Sequence, residues 1–208
     1  AKVVARDCKT RTELGDTADR LEETGVSLRL GEDYLEALDE PVIFRSPGLR
    51  PDLPAFRNAV KRGAILSSEM ELFMELTPAR VIGVTGSDGK TTTTTLTSLF
   101  LQAERDLHGT PGRVFVGGNI GEPLLPRVED MTAEDFAVVE LSSFQLSDMT
   151  VSPWRAAVTN LSPNHLNWHT DMEEYIEAKA NIFRGTGNNL LVTNAENGDC
   201  LRLAAECS

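Results

Sequence analysis

The residues with the clearest chemical signature follow a short apolar run, Val81–Val84, and read Thr-Gly-Ser-Asp-Gly-Lys-Thr-Thr from residue 85 to residue 92. Glycines let backbone N–H groups converge on an anion, and the start of a following helix adds partial positive charge. Lys90 can reach the terminal phosphates of a nucleotide, and the Thr91 hydroxyl can ligate Mg²⁺. Position 84 holds Val where the longer phosphate-loop motif has Gly, so the loop is a shorter variant.

The alternative for this segment is an ordinary glycine-rich turn between a strand and a helix. The lysine, the two hydroxyls and the preceding strand together favour the nucleotide loop. The predicted ATP-contacting residues are Gly86, Ser87, Asp88, Gly89, Lys90, Thr91 and Thr92.

Further polar clusters follow other apolar runs of the sequence. They are Asn119, the segment 140–143 and the segment 160–165. Parallel strands present ligand-binding groups at their carboxyl ends, so these clusters are expected to converge on the loop. Glu140 follows the run 136–139 and could hold Mg²⁺ between phosphates, although it could also be a capping residue at a strand exit. Ser142, Ser143 and Gln145 could be turn formers.

His165 and Lys179 carry less information when each is considered alone. A single histidine is usually structural, and a single helical lysine is usually a solvated surface group. The residue types by themselves leave both side chains in those roles.

Composition limits the class of protein. The chain has 208 residues, 40% of them hydrophobic and 25% charged, with a net charge of −12. This charge argues against nucleic-acid binding, and the absence of a long apolar run argues against a membrane span. Three cysteines, Cys8, Cys200 and Cys207, lack metal-ligand spacing and fit a reducing cytoplasm. We therefore expect a cytoplasmic protein.

Strands that alternate with helices predict an α/β protein with parallel sheets. A long helix is expected over 13–24, and Pro78 is expected at a domain boundary. The predicted organisation is a Rossmann-like N-terminal domain over 1–77, followed by a parallel-sheet central domain of the phosphate-loop ATPase type over 78–208. Both ends look cut, so we expect a fragment of a longer chain.

Five motifs occur in an order that resembles the Mur ligases. They are Thr85–Thr92, Gly117-Gly-Asn-Ile-Gly121, Glu140-Leu-Ser-Ser-Phe-Gln-Leu146, Asn160-Leu-Ser-Pro-Asn-His165 and Tyr175-Ile-Glu-Ala-Lys179. The first motif is shared with folylpolyglutamate synthase, whereas the second and third indicate the family member that adds D-glutamate. The resemblance covers residues 3–200, approximately.

The resemblance implies an ATP-dependent, amide-bond-forming ligase of peptidoglycan synthesis. Its partners would be ATP, UDP-N-acetylmuramoyl-L-alanine and D-glutamate, with Mg²⁺ as cofactor, and the protein would be a monomer. Lys90, His165 and Lys179 would be catalytic. The implied metal ligands are Thr91, Glu140, His165 and a carbamylated Lys179. The implied substrate contacts are Asp7, Cys8, Lys9, Ser46, Pro47, Gly48, Asn119, Ser142, Ser143 and His165.

The family pattern also implies a glycine-rich turn before Ala1 and a third domain after Ser208. Without that domain, the 208-residue chain is expected to be catalytically silent. Two alternatives stay open: another Mur-type or folylpolyglutamate ligase, and a nucleotide-binding fragment or regulator without catalysis.

Overall fold

The computed structural model describes residues 2–186 and 190–207. The strands in chain order are β1 (Val4–Asp7), β2 (Ser27–Leu30), β3 (Val42–Phe44), β4 (Ile65–Ser67), β5 (Arg80–Thr85), β6 (Val114–Gly118), β7 (Phe136–Glu140), β8 (Arg155–Val158) and β9 (Leu191–Thr193). The helices are α1 (Arg11–Leu14), α2 (Asp16–Glu23), α3 (Pro54–Lys61), α4 (Glu69–Leu76), α5 (Lys90–His108), α6 (Ser143–Leu146), α7 (Met172–Arg184) and α8 (Gly198–Ala204). The predicted α/β class is confirmed.

The chain forms two compact units. Unit 1 consists of Ala1–Val42 and Asp52–Ile65, and unit 2 consists of Ile43–Pro51 and Leu66–Ser208. This division differs from the predicted boundary at residue 78, because the segments 43–51 and 66–77 group with the sheet of unit 2. Residues 66–77 group with unit 2 because they contain α4, whose Met70, Phe73 and Met74 belong to the hydrophobic core of that unit.

Unit 1 begins with a βαβ arrangement. Strands β1 and β2 pair in parallel, with Val4 opposite Ser27 and Asp7 opposite Leu30. The single helix predicted over 13–24 is wrong: α1 and α2 are separate helices that meet at Gly15, whose φ is +52°. The sequence analysis also missed β2.

Unit 2 is built on a five-stranded parallel sheet in the order β6-β7-β5-β8-β9. The inner strand β7, which pairs with both β6 and β5, lies in the core, since Ala137, Val138 and Val139 are fully buried. Strands that are covered on both faces read as continuous apolar runs, as this one does. The carboxyl ends of β5, β7 and β8 lie side by side, so the segments after them share one edge.

Helices α5 and α7 follow β5 and β8 and position residues at that edge. Helix α5 begins at Lys90, directly after the glycine-rich loop, and ends before Gly109 in the left-handed region. Helix α7 is capped by Asp171, whose side chain accepts a hydrogen bond from the Glu174 backbone N–H, and it buries one face that includes Lys179. In the described parts of the chain, no helix is long and apolar enough to cross a membrane.

Candidate active site

The segment between β5 and α5 is a closely packed loop, whose backbone is fixed by its neighbours. Gly86 has a φ of +147°, and a Cβ there would lie 1.9 Å from the Thr159 Oγ1. The Ser87 N–H donates to the Asn160 carbonyl at 2.9 Å, and the Asp88 N–H donates to the Asn160 Oδ1 at 2.8 Å. The segment after β8 therefore fixes the backbone of the loop.

Lys90 folds back onto this loop. Its Nζ donates to the carbonyls of Gly86 and Ser87, both at 3.0 Å. The ammonium thus lies beside the loop backbone at the N-terminus of α5, where the helix dipole also favours negative charge. An anion at this position would meet both the lysine and the helix N-terminus.

Glu140, at the end of β7, faces the first turn of α5. Its Oε2 accepts a hydrogen bond from the Thr91 Oγ1 at 2.7 Å, and its Oε1 accepts one from the Asn119 Nδ2 at 2.9 Å. The side chain is only 2% exposed. The structure therefore brings together three predicted site residues from β5–α5, β6 and β7.

The close approach of β6 and β7 explains the glycine that precedes Asn119. Gly118 has a φ of +96°, and a Cβ there would lie 2.2 Å from the Glu140 carbonyl oxygen. The Asn119 backbone N–H donates to that same carbonyl at 2.8 Å. Only glycine fits between these two backbones without displacement.

Lys179 is buried, with 1% of its surface exposed. Its Nζ donates to the Thr85 Oγ1 at 3.1 Å and to the Gly86 carbonyl at 2.9 Å. Burial, together with the positive charge of Lys90, lowers the pKa of Lys179 from 10.5 to about 7, while Glu140 acts in the opposite direction. The solvated helical lysine that the residue type alone suggested is thus wrong, and the lowered pKa favours the neutral amine.

His165 lies in the loop between β8 and α7 with a φ of +53°, which is unusual for a residue other than glycine. Its ring contacts Phe144 edge-on, with 4.8 Å between ring centroids. Burial, and then the charges of Lys179 and Lys90, lower the pKa of His165. A lowered pKa favours the neutral ring, which is the form that can ligate a metal.

The two serines of the third motif are held by protein groups. Ser142 caps α6, with its Oγ accepting from the Gln145 N–H and the Gln145 Oε1 accepting from the Ser142 N–H. The alternative for these residues was that they form a turn, and Ser142 and Gln145 do have a local structural role, as the capping box of α6. Ser143 is buried, and its Oγ lies 2.9 Å from the Nε2 of His169.

Sequence reasoning gave no role to several residues that support the site. The Tyr175 hydroxyl lies 2.9 Å from the Ser87 Oγ, and Asn160 holds the loop backbone as described. Both residues stand inside the quoted motifs, which is a signal that could have identified them. His169 offered no such signal, because its partner Ser143 is 26 positions away.

The predicted substrate contacts of the N-terminal half lie in different units. Ser46, Pro47 and Gly48 are exposed residues of unit 2. In unit 1, the Asp7 Oδ1 accepts a hydrogen bond from the Lys9 N–H at 2.8 Å, and Cys8 is an exposed free thiol. A ligand role for any of them stays a prediction.

The donor set agrees with Mg²⁺ at Thr91 and Glu140. The described residues contain no cluster of three or more His, Cys, Asp and Glu side chains that could hold a metal ion. Mg²⁺ does not require one, because it is usually held by one or two protein oxygens together with phosphate oxygens and water. The hydroxyl of Thr91 and the carboxylate of Glu140 are such oxygens.

The parallel sheet and the loop define an α/β domain of the phosphate-loop class. Comparison with known proteins makes the assignment more specific: the model of the Mur ligase middle domain matches residues 84–207. The chain belongs to the Mur ligase family.

Curated relatives match almost all of this chain but only part of their own length. A UDP-N-acetylmuramoylalanine–D-glutamate ligase of Clostridium botulinum (strain Okra / Type B1) is 52% identical over 198 residues, 94% of this chain and 42% of that protein. The ligase of that name from Clostridium kluyveri is 50% identical over 199 residues, 95% of this chain and 42% of that protein. The chain thus spans less than half the length of these relatives.

Solved structures support the fold. A UDP-N-acetylmuramate:L-alanyl-gamma-D-glutamyl-meso-diaminopimelate ligase from Neisseria meningitides superimposes with a TM-score of 0.53 at 18% identity, covering 91% of this chain and 63% of that chain. A MurF ligase from Thermotoga maritima, solved in complex with ADP, gives 0.51 at 21% identity, covering 80% of this chain and 44% of that one. Identities this low establish the fold alone.

Proposed function

We propose that this chain is part of a cytoplasmic, monomeric ligase that uses ATP to join D-glutamate to UDP-N-acetylmuramoyl-L-alanine. The observation that carries the proposal is the Thr91–Glu140 hydrogen bond of 2.7 Å, next to the loop that holds Lys90. This pair and the lysine are the parts with which phosphate-loop enzymes handle a nucleotide. The names of the relatives at 50–52% identity supply the choice of substrate.

The proposed reaction has two steps. A carboxylate oxygen of UDP-N-acetylmuramoyl-L-alanine forms a bond to the γ-phosphorus of ATP, and the bond to the leaving ADP oxygen breaks. The amine of D-glutamate then attacks the carbonyl carbon of the acyl phosphate. The amide forms, inorganic phosphate leaves, and the amine gives up a proton.

The role of Lys90 follows from its contacts. Its ammonium exchanges the Gly86 and Ser87 carbonyls for phosphate oxygens and offsets charge on the group that is transferred. The loop backbone and the start of α5 orient the same phosphates. Mg²⁺, when bound, neutralises further phosphate charge, and Thr91 and Glu140 would hold it.

Lys179 and His165 form the second part of the proposed site. The neutral amine of Lys179 can add CO₂ to give a carbamate and a proton, which converts a cation into an oxygen ligand. The burial of the side chain beside Thr85 and Gly86 supports this role, because it favours the neutral amine at neutral pH. Lys179, as a carbamate, and His165 would then hold a second Mg²⁺.

A substrate panel tests the proposal on the full-length protein that contains this chain. The first mixture contains ATP, Mg²⁺, D-glutamate and UDP-N-acetylmuramoyl-L-alanine. A parallel mixture contains ATP, Mg²⁺, L-glutamate and folate. We expect ADP release and a product whose mass is that of the amide only in the first mixture. Turnover with folate, or product formation without ATP, would contradict the proposal.

A further inference from the structure

The loop that contains Ser46, Pro47 and Gly48 is exposed, yet the residue before it is buried. The side chain of Arg45 has 0% of its surface exposed. Burying a guanidinium is costly unless its N–H groups are paired, so its partners indicate what the arginine does. All of these partners belong to unit 2.

One edge of the Arg45 guanidinium holds the exposed loop. Its Nη1 donates to the carbonyls of Leu49 at 2.5 Å, Pro47 at 3.2 Å and Ser46 at 3.3 Å. The Leu49 N–H also donates to the Ser46 carbonyl at 3.0 Å, which closes a turn. The carbonyls of the loop are therefore drawn toward one buried cation.

The other edge of the guanidinium holds the segment of α6. The Nε donates to the Asp148 Oδ2 at 3.0 Å, the Nη2 donates to the Asp148 Oδ1, and the Nη2 also donates to the Phe144 carbonyl at 3.1 Å. A planar guanidinium group can form two parallel hydrogen bonds to a carboxylate while its remaining N–H groups donate to other acceptors. One side chain thus joins the exposed loop to the motif that contains Ser142 and Ser143.

A second attachment fixes the far end of the loop. The Trp168 Nε1 donates to the Gly48 carbonyl at 3.0 Å, and Arg50 forms an ion pair with Glu174 at 2.7 Å. The Trp168 ring also contacts Phe144, with centroids 4.8 Å apart. The loop is held at both ends against α6 and the start of α7.

These attachments leave donors of the loop available. The Ser46 hydroxyl and the Gly48 N–H have no hydrogen-bond partner among residues 2–186 and 190–207. A Cβ at Gly48 would meet no atom within 4 Å, so there is open space beside it. Next to the loop is a cavity of about 240 Å³, lined also by Glu69, Met70 and Gln145.

We propose that Arg45 is a positioning residue that fixes the 46–49 turn in the form that binds the UDP-muramoyl substrate. This inference rests on the proposed function. A turn that is already ordered loses less conformational entropy when a ligand binds, so its donors contribute more to affinity. Arg45 acts through the loop and does not itself contact the substrate.

The test is Arg45→Lys in the full-length protein, with Arg127→Lys as the matched control. Lysine keeps the charge but cannot pair with Asp148 and three loop carbonyls at once. We expect the KM for UDP-N-acetylmuramoyl-L-alanine to rise about tenfold, the scale of one lost charge-assisted hydrogen bond. The KM for ATP should change less than about twofold. The control, whose arginine pairs with Asp130 at the surface, should keep wild-type values for both.

The melting temperature separates positioning from plain stability. A lower melting temperature in Arg45→Lys with both KM values unchanged would overturn the inference, because the arginine would then only stabilise the fold. Should Arg45→Lys fail to fold, Asp148→Asn weakens the same ion pair through its carboxylate partner. A raised KM for the UDP substrate in that variant would support the inference, and an unchanged KM would overturn it. A wild-type protein without ligase turnover would instead refute the proposed function.

Discussion

Two loops that each follow a parallel strand differ in how they are held. The loop after β5 is fixed by the segment after β8 and by the buried Lys179, and Gly86 has no room for a side chain. The loop after β1 is held locally, by the Gly31 N–H to the carbonyls of Asp7 and Lys9 and by the Asp7–Lys9 turn. The geometry of the loop after β5 is determined by the packing of the whole five-stranded sheet. The geometry of the loop after β1 is determined by residues of the β1–β2 pair and by the loop itself.

The comparison explains where a rigid chemical site can form. Thr85 and Ser87 are buried at the sheet edge, whereas Cys8 and Lys9 are exposed. Groups on rigid, packed elements keep their geometry without a ligand, which is what charge stabilisation requires. We therefore expect substitutions at the sheet edge to have larger effects than matched substitutions in unit 1.

The largest effect is expected at Lys90. In the full-length protein, Lys90→Ala removes the ammonium that meets the phosphates and should lower kcat by on the order of 10²–10³. Lys61→Ala, at an exposed position of α3 in unit 1, serves as the control and should keep wild-type kcat. Steady-state ADP release measures both, and a Lys90→Ala enzyme within a few-fold of wild type would contradict the loop assignment.

A pair of glycines tests the packing difference directly. Gly118→Ala puts a Cβ against the Glu140 carbonyl, and we expect it to lower the free energy of unfolding by about 2–4 kcal/mol. Gly25→Ala in unit 1 also has a positive φ, +84°, but open space around it, so about 1 kcal/mol is expected. Chemical denaturation followed by circular dichroism gives both values. Equal losses would mean that the sheet edge is no more constrained than unit 1.

Lys179→Ala should reduce kcat of the full-length protein by on the order of 10–10². Short carboxylic acids should restore part of the rate by supplying oxygens where the carbamate would lie. Carbamate formation needs the neutral amine, so bicarbonate should help the wild type more above pH 7 than below it, given the pKa of about 7. Full activity of the variant, or no effect of bicarbonate at any pH, would leave Lys179 a structural residue.

The smallest effect is expected at Glu174, which accepts hydrogen bonds from the Thr170 N–H and from Arg50. Although burial acts in the opposite direction, these bonds lower the pKa of Glu174 from 4.5 to about 2. The folded-state pKa is depressed, so the stabilisation is complete above pH 4.5 and is lost as the pH falls toward 2. Glu174→Gln should cost about 1 kcal/mol at pH 7, since the pair is partly exposed. Thermal melts at pH 7 and pH 2.5 should show this difference shrinking, and a constant difference would exclude the charge as its source.

The sequence predicted the sheet because its strands are continuous apolar runs, as in β5 and β7. It did not predict the break at Gly15, since the leucines and glutamates on both sides favour a helix and only the backbone of one residue departs from it. It also missed β2, whose sequence Ser27-Leu-Arg-Leu30 alternates polar and apolar residues and is not a continuous apolar run.

For the site, the sequence indicated which residues matter but not how they pair. Glu140 and Thr91 were predicted separately, and their hydrogen bond spans 49 positions. Arg45 had no sequence signal, because an arginine near a loop is usually exposed. Its burial depends on Asp148, 103 positions away, and such pairing is a property of the folded chain.

A crystal structure of the full-length protein with Mg²⁺ and a non-hydrolysable ATP analogue tests the central claim most directly. We predict that the β- and γ-phosphates lie against the Gly86–Thr91 loop. We also predict that the Lys90 Nζ has left the Gly86 and Ser87 carbonyls for phosphate oxygens. An analogue bound elsewhere, or a Lys90 still on those carbonyls with the nucleotide in place, would contradict the account.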